Sequence, residues 1–161
     1  MFTYTNTDEM IFELEKYTST YSALERKARS GFKRLIDILL DLPEEMGKVC
    51  IQNKNGSFVR FQFLGFKVLI RFVKNVIKNK GCIQWYYIFF DPEYQREKGK
   101  KIFEYYFDKN GKIYSDESTI IKGLSFEHYF RCFIYQNLLD FCQKVDEDTY
   151  SEFQKEKETK K

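Results

Sequence analysis

The residues with the most distinctive chemistry lie in one segment, residues 48–90, which is rich in basic and aromatic side chains but contains no Asp or Glu. Its eight basic residues are Lys48, Lys54, Arg60, Lys67, Arg71, Lys74, Lys78 and Lys80. Its ten aromatic residues are Phe58, Phe61, Phe63, Phe66, Phe72, Trp85, Tyr86, Tyr87, Phe89 and Phe90. Lysine and arginine neutralise phosphates, aromatic rings stack on bases, and a basic patch also steers acidic protein partners. The segment therefore predicts a surface that attracts a negatively charged macromolecule.

The whole-chain net charge of +3 conceals this asymmetry, because the flanking segments are acidic. Residues 1–47 carry −3 and residues 91–161 carry −2, whereas residues 48–90 carry +8. A low-GC genome would explain many of the lysines and aromatics, but not the missing acids, since Asp and Glu are common elsewhere in the chain. Three interpretations stay open: a solvated sheet face, a nucleic-acid interface and an interface for an acidic protein.

Strand alternation groups part of the basic set on one predicted sheet face. The predicted binding residues are Arg60, Lys67, Arg71, Lys74, Lys78 and Tyr86. The predicted secondary basic surface, on the N-terminal helix, consists of Arg26, Arg29 and Lys33. The lysines and arginine from 67 to 78 also fit helical spacing, but the Val and Ile content and the preceding Gly65 favour a strand.

Residues suited to catalysis are sparse. The chain has one histidine, His128, and it has no phosphate loop, C-x-x-C or H-E-x-x-H motif. His128 and Cys132 stand four residues apart, but no cluster completes a metal site around them. Carboxylates at strand ends can hold Mg²⁺, so Asp91 and Glu104 form an alternative, nuclease-like hypothesis, although their spacing matches no nuclease signature. We expect no catalytic residue, no metal site and no cofactor.

Periodicity and turn signals predict an α+β fold. Residues 7–42 are predicted as a long or broken helix, residues 47–116 as an antiparallel meander of five to six strands, and residues 125–145 as an amphipathic helix packed on the sheet. Individual strands are predicted near 47–53, 57–64, 66–75, 82–91, 100–107 and 112–116. Residues 1–145 are expected to form one domain, followed at 146–161 by a charged tail that is disordered, frayed or a solvated helical extension.

The N-terminal helix poses a problem of length. Unbroken, it would span roughly 50 Å at about 1.5 Å per residue, which is too long for so small a core. We favour a break at 18–20 or at 30–31, where weak helix formers cluster, over a projecting helix that dimerises as a coiled coil. The residues predicted to form either a core seam or a dimer seam are Leu14, Tyr17, Tyr21 and Leu24.

Composition also bears on location. The N-terminus has no basic-then-apolar signal, no apolar run approaches the roughly 20 residues of a membrane span, and four cysteines without C-x-x-C spacing suit free thiols. We expect a cytoplasmic, non-catalytic protein that binds a larger protein or ribonucleoprotein, with no membrane contact, as inhibitors, immunity proteins and phage counter-defence proteins do. The alternatives are DNA or RNA binding through the same face, a Mg²⁺-dependent nuclease, and a homodimer formed through the N-terminal helix.

Overall fold

The structure, a computed structural model, describes residues 6–46, 49–73 and 79–159. Within them, helices α1 (Thr7–Leu40) and α2 (Phe130–Thr159) pack on one face of a seven-stranded sheet, and a short 3₁₀ helix occupies Glu44–Met46. The strands are β1 (Cys50–Lys54), β2 (Phe58–Phe63), β3 (Phe66–Val73), β4 (Lys80–Asp91), β5 (Arg96–Asp108), β6 (Lys112–Tyr114) and β7 (Ile120–Ser125). The predicted α+β fold is confirmed.

The sheet is a pure antiparallel meander, in which each strand pairs with its neighbours in sequence. The predicted count of five to six strands is wrong, because β7 adds a seventh strand that pairs with β6. Gly123, whose φ is 75°, interrupts the alternation of apolar and polar residues in β7, so the sequence pattern does not predict this strand. The ambiguous segment after Gly65 is a strand as far as Val73, as predicted.

The two faces of the central strands are as predicted. Val59 pairs with Ile70, and Ile70 pairs with Trp85, so these side chains share one face. That face carries the core, because Val59, Ile70 and Trp85 are fully buried and cluster with apolar residues of both helices. Here we call this the inner face, and we call the side away from the helices the outer face.

Helix α1 starts at Asn6, whose side-chain oxygen accepts a hydrogen bond of 2.8 Å from the amide of Asp8. It ends at Leu40, just before Pro43, and it is continuous. The predicted break is therefore wrong. At the first suspected site the Thr18 hydroxyl donates to the Leu14 carbonyl (2.9 Å), so this polar side chain is satisfied without unwinding the helix.

At the second suspected site, Gly31 has a packing role rather than a breaking role. A Cβ atom at Gly31 would lie 2.7–2.8 Å from three ring atoms of Phe126, closer than real Cβ contacts. Glycine at this position lets the aromatic ring approach the helix backbone. The helix is longer than the core because only its second half packs there: residues 7–22 are exposed or half-buried, and its buried residues begin at Leu24.

Helix α2 begins five residues later than predicted, at Phe130. Ser125, the first residue of the predicted helix, accepts a hydrogen bond from the amide of His128 (3.0 Å), and this bond closes a turn before the helix. Tyr129, whose φ is 59°, is strongly exposed and directly precedes the first helical residue. Residues 146–159 continue α2 as an exposed helical extension, one of the forms expected for the tail.

Candidate functional site

The outer face of the sheet holds the predicted binding residues that the structure describes. Arg60 lies on β2, Lys67 and Arg71 lie on β3, and Tyr86 lies on β4. The register pairs Arg60 with Leu69 and Leu69 with Tyr86, which places basic, apolar and aromatic side chains in neighbouring positions. Lys74 and Lys78, the other two predicted members, lie outside the described residues.

A network of hydrogen bonds fixes Arg71. Its Nε donates to Gln84 Oε1 (2.8 Å), and its Nη2 donates to the Tyr86 hydroxyl oxygen (3.1 Å). Its guanidinium carbon lies 5.2 Å from the centroid of the Tyr86 ring, within the range of a cation–π contact. Gln84 is oriented in turn by its donation to Glu104 Oε2 (3.0 Å). Since an arginine carries five N–H groups, the two bonds to Gln84 and Tyr86 do not exhaust its donors.

Glu97 of β5 binds two of the predicted cationic residues. Its Oε2 accepts from Arg60 (2.6 Å) and its Oε1 accepts from Lys67 (3.2 Å). The hydrogen bond from Arg60, followed by that from Lys67, lowers the pKa of this carboxyl below its usual range. The described outer face is thus basic but partly neutralised.

The Arg60–Glu97 ion pair (2.6 Å) connects β2 to β5 across two intervening strands. These residues lie on strands three spacings apart, about 14 Å in a flat sheet at about 4.8 Å per spacing, and two long side chains together with the twist of the sheet bring their charged groups into contact. Strand β5 also carries a β-bulge at Ile102, which is skipped between the pairs Trp85–Phe103 and Tyr86–Lys101, and bulges bend the strand that carries them.

Glu104 is a second acidic residue on the outer face. It accepts from Gln84 and forms an ion pair with Lys101 (3.2 Å), and it lies 3.5 Å from the Cys82 sulfur. The bond from Gln84, then that from Lys101, lowers the pKa of Glu104. Burial, with Glu104 as a further contributor, raises the pKa of the Cys82 thiol to about 12, so this cysteine is not a nucleophile at neutral pH.

Between the two arginines the outer face forms a groove of about 510 Å³. The groove is lined by Ser57, Phe58, Arg60, Leu69, Arg71, Phe72 and Val73. Its floor is mainly apolar, and Arg60 and Arg71 each contribute a guanidinium group to its wall. We call this feature the arginine groove. It can accept an apolar side chain while donating hydrogen bonds to nearby carboxylate or phosphate oxygens.

The secondary basic surface on α1 does not join the outer face, because α1 covers the opposite side of the sheet. Arg26 and Lys33 are exposed there, and Arg29 forms an ion pair with Glu25 (3.0 Å). An exposed pair of this kind contributes little to stability. The two predicted basic surfaces are therefore separate.

The predicted seam divides into two parts. Leu24 is fully buried in the core, whereas Leu14, Tyr17 and Tyr21 of the same stripe are exposed. The core interpretation is correct for Leu24 only. The exposed part forms a stripe on the first half of α1.

The nuclease hypothesis finds no support in the geometry. Along β4 the partner of Glu104 is Gln84, seven residues from Asp91, or roughly 24 Å at about 3.4 Å per residue. Asp91 instead pairs with Lys98 (2.8 Å), whose hydrogen bond is the main cause of its lowered pKa. Two carboxylates this far apart do not share a metal ion. Within residues 6–46, 49–73 and 79–159 no group of three or more His, Cys, Asp or Glu side chains is placed to bind one.

The sequence analysis did not place Glu97 or Glu104 on the outer face, because it considered Glu104 only as a possible metal ligand. The acid-free segment ends at residue 90, but the sheet brings β5 beside β4 and so adds two carboxylates to the basic face. The register of a regular hairpin does not predict the position of Glu104: a hairpin centred on residues 92–95 places Phe103 opposite Gln84, and the bulge at Ile102 shifts the pairing by one residue.

Comparison with protein-family models, with curated proteins and with solved structures finds no match to this chain. In the part of the chain that the structure describes, neither helix has a stretch apolar enough to cross a membrane.

Proposed function

We propose that this protein is a non-catalytic, cytoplasmic binding protein whose outer face occupies an acidic surface of a larger protein. It acts by covering that surface, in the manner of small inhibitors, immunity proteins and phage counter-defence proteins. The observation that carries the proposal is the arginine groove, in which two anchored guanidinium groups flank an apolar floor.

The arrangement around Tyr86 favours a protein partner over a nucleic acid. Binding single-stranded DNA or RNA uses exposed aromatic faces on which bases stack. The Tyr86 ring lies beneath the Arg71 guanidinium, and its hydroxyl is hydrogen-bonded to the same residue. Arginine and tyrosine, together with tryptophan, are enriched among the residues that dominate protein–protein affinity.

The preformed network lowers the cost of binding. A free arginine loses side-chain entropy when it engages a ligand, and each immobilised side chain costs about 0.5–1.5 kcal/mol. Arg71 is already held by Gln84 and Tyr86, so part of that loss occurs on folding. A partner carboxylate therefore meets an arginine that is positioned before contact.

The test compares two double variants of equal charge change. Arg60→Gln/Arg71→Gln removes both groove arginines without placing a new acid beside Glu97, and Arg26→Gln/Lys33→Gln removes two exposed cations from α1. Circular dichroism first establishes that both variants fold. Each is then used for affinity capture from extracts of the source cells, with bound proteins identified by mass spectrometry.

We expect the groove variant to lose a partner that the helix variant and the wild type retain. Retention by both variants would refute the assignment of the outer face. The nucleic-acid alternative is measured in parallel by fluorescence anisotropy with labelled single- and double-stranded DNA and RNA. Tight binding that weakens steeply with salt and is lost in the groove variant would replace the protein partner with a nucleic acid.

A further inference from the structure

We propose that the exposed first half of α1 is a homodimer surface, on which the same segment of a second copy packs in antiparallel orientation. The surface is built from the exposed stripe of Met10, Leu14, Tyr17 and Tyr21, which we call the α1 stripe. It is distinct from the arginine groove, so the proposal neither depends on the proposed function nor falls with it.

The α1 stripe continues the spacing of the core. Its members alternate at intervals of four and three residues, and the next residue in the series, Leu24, is completely buried. Heptad-spaced apolar residues of this kind form the contact seam between paired helices. Leu14 is 65% exposed, Tyr17 55% and Tyr21 41%. The apolar stripe therefore extends beyond the domain core as a row of large side chains that the described residues do not cover.

The helical state of this segment itself calls for a packing partner. Four weak helix formers, Thr18, Ser19, Thr20 and Ser22, occur within five residues. In proteins most helical stability comes from the packing of an apolar face rather than from intrinsic propensity, and the described residues leave this face of α1 unpacked. Packing of the α1 stripe against another helix supplies the stabilisation that the local sequence lacks.

The charge distribution along α1 identifies a second copy as the occupant and sets its direction. Between Asp8 and Glu15 the helix carries four acids and no base, and between Arg26 and Arg34 it carries five bases and no acid. Parallel pairing would align the acidic segments with each other, where like charges repel. Antiparallel pairing instead places Asp8 and Glu9, in the acidic first turn of each copy, within about one helical turn of Arg26, the first residue of the basic segment of the other copy.

The position of the domain body gives the same orientation. From Leu24 onward the seam is covered by the sheet, so the second helix can extend only as far as the body allows. Antiparallel pairing places the two bodies at opposite ends of the contact, with Leu14 opposite Tyr17 of the second copy and Met10 opposite Tyr21. The contact involves a few side chains per copy and is smaller than the roughly 800 Å² per partner of a standard interface, so we expect a weak, concentration-dependent association.

The first experiment measures mass against concentration by analytical ultracentrifugation of the full chain, from about 1 to 200 μM. We expect a rise from 19.5 kDa toward twice that value. Leu14→Glu should keep the protein monomeric. The matched control is Phe12→Glu, an equally exposed apolar residue on the opposite side of the same helix, whose new carboxylate can pair with Lys16 four residues on.

Dimerisation of the wild type and of Phe12→Glu, with loss in Leu14→Glu, supports the proposal. A monomer at all concentrations overturns it, and so does a dimer that Leu14→Glu leaves intact. Leu14 is exposed, so the variant should fold, and circular dichroism checks this.

Disulfide trapping tests the orientation in a background where the exposed Cys50 and Cys132 are replaced by Ser. In antiparallel pairing, Met10→Cys alone should not cross-link, because equivalent residues lie roughly 16 Å apart at about 1.5 Å per residue. Met10→Cys combined with Tyr21→Cys should form a covalent dimer. Efficient cross-linking of Met10→Cys alone would overturn the antiparallel arrangement.

Discussion

Truncation of two leucines that lie ten residues apart on one apolar stripe of α1 should destabilise the protein to very different extents. Leu24 is completely buried and belongs to the core cluster, whereas Leu14 is 65% exposed. Truncating a buried leucine removes its transfer free energy and leaves a cavity, which together cost about 2–5 kcal/mol. An exposed substitution away from special features changes stability by about 0.5 kcal/mol or less. Leu24→Ala should therefore lower the free energy of unfolding several-fold more than Leu14→Ala.

The assay is urea denaturation at low micromolar protein, where dimer formation contributes least. Circular dichroism reports the helices, and the fluorescence of Trp85 reports the core, because this single tryptophan is fully buried and stacks on Phe103 with 5.2 Å between ring centroids. Equal destabilisation by both substitutions, or an unchanged midpoint for Leu24→Ala, would show that the division between buried and exposed seam is wrong. Destabilisation by Leu14→Ala that grows with protein concentration would instead reflect a dimer contact.

Three further predictions concern the sheet. Gly81→Ala should destabilise the protein by about 1–3 kcal/mol in thermal or urea unfolding, because the new Cβ would lie 2.2 Å from a ring atom of the fully buried Phe107. The control is Gly99→Ala, whose Cβ would meet nothing closer than 3.2 Å and which should destabilise the protein clearly less. Cys82, with a pKa of about 12, should escape maleimide labelling of the native protein at pH 8 and react after denaturation, and rapid native labelling would contradict its burial. The lowered pKa of Glu97 means that its ion pairs stabilise the fold above the unfolded-state pKa of about 4.3, and that this contribution is lost as pH falls through the folded-state pKa. Glu97→Gln should therefore lower stability at pH 7, with an effect that shrinks as the pH is lowered below about 4.3, and an effect that stays constant with pH would refute the assignment.

Much of the fold could be predicted because its signals are local. The turn at Leu64 and Gly65 has positive φ at both residues, as the glycine suggests, and it fixes the register that aligns Val59 with Ile70. Two-residue alternation then assigns each side chain to a face. The six predicted strands all exist, and Arg60, Lys67 and Arg71 lie on the predicted side of the sheet.

The missed features depend on contacts between distant residues. Gly31 resembles a helix breaker until Phe126, nearly a hundred residues later, is seen packed against it. The charge of the outer face was overestimated because Glu97, which follows the acid-free segment in the sequence, lies on β5 and forms an ion pair with Arg60 of β2. Local propensity reports neither effect, since both are properties of the assembled layers.

The meander order of the strands has a consequence for synthesis on the ribosome. Each strand finds its partner among the next few residues to emerge, so the sheet can assemble hairpin by hairpin without closing a long loop. Helix α1 emerges first, yet its buried face packs on strands that end about 50 residues later. At about 5–20 residues per second, that face stays exposed for roughly 2–10 s, an interval in which a chaperone or a second nascent chain has access to it.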